Sequence, residues 1–310
     1  MKQKVLITPK SFSRYREEAL GILSAYDVEV IENKKNATYT LEEMRELCRD
    51  IRGIIVGIDP MDRSVLREAK NLKAISKYGV GLDNIDMDAA NEYGIKVSRT
   101  AGANSESVAE LTVGMFFVLS RNLMFSLNSV RSGGWERTIG TEIRGKTAGV
   151  IGLGAIGREV VRMCGGLGMK VLGYDPYFSD DEWITANKVT MGGLDDVIRE
   201  SDFVTLNIPL TDSTHHLINK ERLQLMKKTA YLINNSRGQL VDEDDLYEAL
   251  VIQEIAGAAQ DVFSQEPAGK HRLLTLDNFL LTPHIGAFTE ESTKNMVLMS
   301  VNNLTNMLFN

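Results

Sequence analysis

The sequence is poor in the residues that hold metals and cross-links. Its 310 residues include two cysteines and four histidines. Cys48 and Cys164 lie far apart, and no Cys-x-x-Cys pair or His/Cys cluster occurs, so neither a disulfide framework nor a zinc site is expected. No metal ligands are assigned. Both thiols read as reduced, semi-buried packing residues of a cytoplasmic protein. Cys164 falls inside an expected helix, which argues against a nucleophile. Basic residues are in the minority: 35 Lys and Arg against 42 Asp and Glu give a net charge of −7. That balance lacks the basic face that nucleic acids and anionic membranes require. One local Arg still suffices for a small anionic substrate. Long apolar runs are also lacking. Val5-Leu6-Ile7 is too short for a signal peptide. The most apolar stretch, Val108 to Leu127, carries Glu110, Arg121 and Asn122 and reads as a buried helix rather than a membrane span.

What the chain does contain is an alternation of short apolar runs and amphipathic stretches. Val5-Leu6-Ile7, Val28 to Ile31, Gly53 to Val56 and Lys73 to Ser76 read as strands, separated by helical spacing over Tyr15–Tyr26, Leu41–Asp50 and Asp62–Ala69. This pattern implies a parallel sheet with crossover helices. Tyr78-Gly79-Val80-Gly81 ends the fourth strand, where glycine suits a ligand approaching the backbone. A small, polar junction at Thr100 to Ser105 follows. One helix is expected over about 105–130, with Val108, Leu111, Met115, Val118 and Leu119 on one face, suited either to an interdomain or dimer contact or to an ordinary core position. A second alternating unit has strands at Ala148–Gly152, Lys170–Tyr174, Phe203–Leu206, Ala230–Asn234, Ile255–Asp261 and Phe279–Leu281. An amphipathic segment, Glu290 to Leu308, comes last.

Gly152-Leu153-Gly154-Ala155-Ile156-Gly157 follows the first of these later strands as G-x-G-x-x-G and opens a helix. This is the dinucleotide fingerprint. Gly152 permits the turn, Gly154 admits the pyrophosphate to the backbone, and Gly157 lets helix and sheet pack. The phosphates then meet the first helical turn, Ala155 and Ile156, at its positive end. Asp175 lies 23 residues after Gly152, at the end of the next strand, where a carboxylate reaches the adenosine ribose. It accepts a free 2′-hydroxyl and repels a 2′-phosphate, and Pro176-Tyr177-Phe178 supplies no Arg. The expected cofactor is NAD.

His215 and His216 occupy a polar loop, and His271 a charged surface segment. His284 differs: it follows Leu280-Leu281-Thr282-Pro283 at a strand end. Asn234-Asn235-Ser236-Arg237-Gly238 and Gln260-Asp261-Val262-Phe263-Ser264-Gln265-Glu266-Pro267 end two neighbouring strands. Arg237, Glu266 and His284 would thus share the C-terminal edge of one parallel sheet, where such sheets bind ligands. An Arg, a Glu and a His are the set needed for hydride transfer to a 2-keto acid.

Trp135, Gly145-Lys146-Thr147, the glycine loop, Asn235-Ser236-Arg237-Gly238, Glu266-Pro267 and Thr282-Pro283-His284-Ile285-Gly286 occur in the order of a known family. On these motifs the chain resembles the D-isomer-specific 2-hydroxyacid dehydrogenases. Tyr78-Gly79-Val80-Gly81-Leu82-Asp83-Asn84-Ile85-Asp86 is similar to their phosphoglycerate dehydrogenase branch. The resemblance implies an α/β fold in which a Rossmann NAD-binding domain, about residues 101–285, is inserted into a flavodoxin-like substrate domain, about 1–100 plus 286–310. It implies dimers built on the long helix and two domains closing over the substrate. Arg237 would hold the substrate carboxylate and carbonyl through a forked contact. His284 would exchange the proton at the substrate oxygen, and Glu266 would hold the far ring nitrogen. Tyr78, Gly79 and Val80 would form the carboxylate site, with backbone N–H groups as donors. Asp261 would bind the nicotinamide end, and Asn207 and Ser236 would stand beside the cofactor. Asn207 replaces a His common in the family.

Another departure concerns the substrate. The loop after the third strand, Val56-Gly57-Ile58-Asp59-Pro60, lacks the Arg that family members acting on 3-phosphoglycerate carry for the phosphate, Asp59 would oppose one, and Arg63 is expected to face solvent, the alternative being that it reaches in. This departure puts phosphoglycerate in doubt and leaves glyoxylate, hydroxypyruvate or another short 2-keto acid open; formate or phosphite oxidation on the same scaffold is a second enzymatic alternative. No C-terminal serine-sensing domain is expected, because the sequence ends soon after the His284 motif. The competing class is an NAD(H)-responsive binding protein or corepressor on the same fold. Initial-rate comparison is expected to favour NADH; a preference for NADPH would overturn the reading of Asp175.

Overall fold

A computed structural model describes residues 2–35 and 37–310. The chain divides into two compact units, residues 1–104 with 288–310 and residues 105–287. The first unit alternates β1 (Gln3–Ile7), α1 (Arg16–Leu23), β2 (Val28–Glu32), α2 (Leu41–Leu47), β3 (Gly53–Val56), α3 (Arg63–Glu68), β4 (Ala74–Lys77), α4 (Met87–Glu92) and β5 (Lys96–Arg99). The second opens with α5 (Ser105–Ser120) and α6 (Leu123–Arg131), followed by β6 (Thr147–Ile151), α7 (Ala155–Gly166), β7 (Lys170–Tyr174), α8 (Asp181–Ala186) and β8 (Val189–Met191). It continues through α9 (Leu194–Glu200), β9 (Phe203–Leu206), α10 (Lys220–Leu225), β10 (Tyr231–Asn234), α11 (Glu243–Val251), β11 (Gly257–Gln260) and β12 (Phe279–Leu281). Helix α12 (Glu290–Phe309) returns to the first unit.

All paired strands are parallel. The first sheet has the order β2-β1-β3-β4-β5 and the second β12-β11-β10-β9-β6-β7-β8. In the first unit α12 covers one face, burying Val297, Val301 and Leu304 against Val5, Ile7 and Ile55. Leu6, Ile54 and Ile75 face the other core. The second sheet alternates in the same way: Val204, Leu232 and Ala258 enter one core, while Phe203, Ile233 and Ala259 enter the other. Successive side chains of a strand point to opposite faces, so two covered faces demand apolar residues at every position. Local signals fix the helix starts. Thr40 and Glu43 form a capping box on α2, and the Asp242 carboxylate caps α11.

The expected single helix over 105–130 is two helices bent by 65°. Asn122 makes the break in a left-handed conformation, φ 49°. Asn tolerates that region better than most residues. Apolar residues resume directly after Ser120-Arg121-Asn122, so the sequence reads as one helix with a polar interruption rather than as two. α5 buries Val108, Ala109, Val113, Met115, Phe116 and Leu119, whereas no residue of α6 is buried. The strands β5 and β8, not anticipated in the sequence, sit at sheet edges and are short.

Phe203 anchors the second unit. Its ring is fully buried and stacks on Phe116 at 4.7 Å and on Tyr231 at 5.3 Å. Phe203→Ala is expected to cost about 3–5 kcal/mol, read as a lower urea midpoint by circular dichroism. An unchanged midpoint would show that this stack does not hold the unit together.

Candidate active site

The parallel register of the second sheet places six strand ends on one edge. Asn234 pairs with Leu206 on one side and Gln260 on the other, and Gln260 pairs with Leu281. Ile151 pairs with Leu206 and with Tyr174. The residues that follow these ends are Gly152, Asp175, Asn207, Asn235 to Arg237, Asp261 and Thr282 to His284.

At the β6 end, Gly152 has φ +95°, and a β-carbon there would lie 2.4 Å from the Asn207 carbonyl oxygen. A β-carbon on Gly157 would lie 1.9 Å from the Gly152 oxygen, so the helix can cross the loop only with glycine. Gly154 faces open space. It is the N-cap of α7, and no side chain caps that end. The first-turn amides of Ala155 and Ile156 are thus left for an anion. Asp175 Oδ2 accepts from the Leu153 amide at 2.8 Å and Oδ1 from the Tyr177 amide at 2.9 Å, which fixes the carboxylate beside the glycine loop. Asn207 is half-buried, and a β-carbon added at Gly157 would lie 3.5 Å from its own. Ser236 Oγ donates to the Leu206 carbonyl at 2.8 Å. These groups outline a crease that fits a dinucleotide.

Beside the crease, His284 Nδ1 and Glu266 Oε2 are 2.8 Å apart. Burial works to raise the Glu266 pKa. Hydrogen bonds from the His284 ring and the Phe263 amide, with the charges of His284 and Arg237, outweigh it and hold the carboxyl below its ordinary range. The guanidinium is half-buried and donates to the Ser236 carbonyl at 2.7 Å. Gly238 lies against the Glu266 loop so closely that a β-carbon would fall 2.0 Å from the Phe263 carbonyl carbon. Arg237, Glu266 and His284 therefore share one corner. The His284 side chain remains 48% exposed, so its second ring nitrogen is open to a ligand.

Asp261, expected at the nicotinamide end, supports the histidine turn as well. It is buried, and its carboxylate accepts from the Ile285 amide at 2.8 Å, the Gly286 amide at 2.7 Å and the Thr282 hydroxyl. Both oxygens serve the turn that carries His284, whose own φ is 54°. The first unit also refines its expected contacts. The Gly79 amide donates to Thr100 Oγ1 at 2.9 Å, and the Tyr78 hydroxyl accepts from Ser11 Oγ at 3.0 Å. The Gly79 amide is thus engaged, and the Tyr78 hydroxyl donates in turn to the Thr293 carbonyl at 3.5 Å. The amides of Val80 and Gly81 meet no acceptor among the described residues. Asp59 turns inward, where its carboxylate accepts from the Tyr39 amide at 2.8 Å and from the Thr8 hydroxyl, so it does not face a substrate. Arg63 is exposed and pairs with Glu92 and Asp86.

The remaining histidines lie elsewhere. His215 and His216 stack at 4.0 Å, and His216 Nδ1 is 3.0 Å from Asp242 Oδ2. His271 is not a loose surface residue: it packs edge-on against Phe263 at 4.7 Å. Cys48 and Cys164 are fully rather than partly buried, and burial pushes both thiols up to about 12, which removes the thiolate a nucleophile needs.

A glycine-loop crease next to a carboxylate-held histidine and an arginine defines a dinucleotide-binding unit equipped for proton transfer. Residues 113–286 match the family model described as D-isomer specific 2-hydroxyacid dehydrogenase, NAD binding domain. The chain is 42% identical to a D-3-phosphoglycerate dehydrogenase of Methanocaldococcus jannaschii over 94% of its own length and 55% of that protein. It is 37% identical to a hydroxypyruvate reductase of Thermotoga maritima, over 91% of this chain and 94% of that one. Among solved structures, a glyoxylate reductase from Paecilomyes thermophila superimposes with a TM-score of 0.89 at 31% identity, covering 99% and 96% of the two chains. A D-lactate dehydrogenase from Aquifex aeolicus complexed with NAD and lactic acid gives 0.83 at 31% identity, covering 96% and 93%. The chain belongs to the D-isomer specific 2-hydroxyacid dehydrogenase family. It spans about half the length of the phosphoglycerate dehydrogenase it matches and nearly all of the hydroxypyruvate reductase.

Glu266→Gln keeps an acceptor beside His284 and removes the negative charge. The acid limb of the pH–rate profile for hydroxy-acid oxidation is expected to move to lower pH, since the ring then loses its proton more readily. An unmoved limb would leave Glu266 a structural role.

Proposed function

We propose that the chain is an NAD-dependent dehydrogenase that interconverts a short D-2-hydroxy acid and its 2-keto acid. The observation that carries this is the 2.8 Å pair of His284 and Glu266, with the Arg237 charge beside it, on the strand edge that also bears the glycine loop. Bound NAD(H) supplies or accepts the hydride. The chain's own residues do the rest. Ala155 and Ile156 amides receive the pyrophosphate, and Asp175 receives the ribose hydroxyls. Arg237 forks onto the carboxylate and carbonyl, which turns the keto carbon to a fixed orientation. The open nitrogen of His284 gives a proton to the carbonyl oxygen in reduction and takes it from the hydroxyl in oxidation. Glu266 fixes which ring nitrogen faces the substrate.

The protein acts as a homodimer in this reading. The support is the exposed apolar surface of α6, where Leu123, Met124, Phe125, Leu127 and Val130 are each between 38% and 53% accessible. An apolar patch of this kind is better covered than wet.

Oxidation of NADH should be followed with glyoxylate, hydroxypyruvate, pyruvate and 3-phosphohydroxypyruvate. A short 2-keto acid is expected to be turned over, and a silent panel would overturn the proposal in favour of a binding protein. His284→Ala is expected to lower kcat on the order of 10²-fold or more while NADH still binds. Near-wild-type turnover would remove His284 from the mechanism.

A further inference from the structure

Glu266 reaches His284 from an exposed loop, residues 264–267. An exposed loop positions a side chain poorly unless its backbone is tied down. The tie is visible on its inner side. Glu243, in the first turn of α11, is 10% accessible. Its Oε1 accepts from the Ser264 amide and its Oε2 from Ser264 Oγ, both at 2.7 Å. Gln239 Nε2 donates to the Ser264 carbonyl at 3.1 Å. One residue earlier, Phe263 is buried, and its amide donates to Glu266 Oε1 at 3.0 Å. The path from Glu243 through Ser264 and Phe263 to Glu266 is thus continuous. Helix α11 is itself seated by Asp242, whose side chain accepts from the Asp244 and Asp245 amides.

We propose that Glu243 is a positioning residue for the His284–Glu266 pair: its carboxylate clamps the 263–264 backbone and thereby sets the reach of Glu266. The inference rests on the dehydrogenase reading above. Glu243 touches neither His284 nor Glu266. It acts through two charge-assisted hydrogen bonds on the loop, the strong kind. Besides Ser264, the group facing it is His271, with Nε2 at 3.7 Å, packed on Phe263. Asp244 on its own helix pairs with Arg272 at 2.7 Å. The clamp on Glu266 is the counterpart of the Asp261 contacts on the His284 turn, so a separate carboxylate holds each half of the pair.

The test is a double-mutant cycle of Glu243→Ala with Glu266→Gln, with His284 followed by NMR titration and keto-acid reduction by kcat. Glu243→Ala is expected to move the His284 titration toward that of Glu266→Gln and to lower kcat about tenfold, with NADH affinity within about twofold of wild type. In the Glu266→Gln background it should change neither quantity further, because its path ends at Glu266. Loss of the same size in both backgrounds, or no shift in the single variant, would overturn the clamp. Should Glu243→Ala fail to fold, Ser264→Ala removes one of the two bonds and is expected to show a smaller effect of the same sign; no effect there would equally overturn it. Wild-type protein inert toward every keto acid would reject the dehydrogenase reading alone, while the titration arm would still decide the clamp.

Discussion

The site depends on strand register. Every functional group of the second unit is appended to a strand end, and those ends coincide because Leu206, Asn234, Gln260 and Leu281 are aligned across parallel neighbours. A slip of one residue would exchange the two faces of a strand and move its loop by about 3.3 Å. Register is held by apolar side chains on both faces, so the cores above and below the sheet set the distance between His284 and Glu266 as surely as the loops do.

On that edge the loops are packed into each other. Gly238 lies against Phe263, Gly152 against Asn207, and Gly157 against Gly152, each too close for any side chain. These approaches link the arginine loop to the glutamate loop and the cofactor helix to its strand. Glycine here does not loosen the backbone; it lets separate segments share one volume. Charge is distributed with the same economy. The Glu266 carboxyl is held ionised by hydrogen bonds and by neighbouring positive charge against the opposing effect of burial. The pair therefore keeps its negative member down to acidic pH.

Much of this was legible in the sequence, for a physical reason. Strand ends followed by glycine, Asn-Ser-Arg-Gly or Pro-His are local patterns, and a parallel α/β sheet collects its strand ends without further information. The break at Asn122 was not legible, because hydrophobic periodicity reports which face is apolar and not where φ changes sign. Nor was the inward turn of Asp59, whose partners Thr8 and Tyr39 come from other loops. The resemblance places Asp261 at the nicotinamide end; that it also gathers the Ile285 and Gly286 amides, 24 and 25 residues away, and the Thr282 hydroxyl carries no sequence signature. Glu243 belongs to no motif in the sequence, and only the fold brings Ser264 to it.

The backbone at His284 carries a last consequence. Its φ of 54° is a conformation that an L-residue with a branched ring adopts at some energetic disadvantage, retained because the Thr282, Ile285 and Gly286 donors converge on Asp261. Selection for thermal endurance and selection for turnover therefore pull in opposite directions at this position. Glycine, indifferent to the sign of φ, would relax the turn and toughen the protein while silencing it, so the imidazole persists there only for as long as the chemistry is needed.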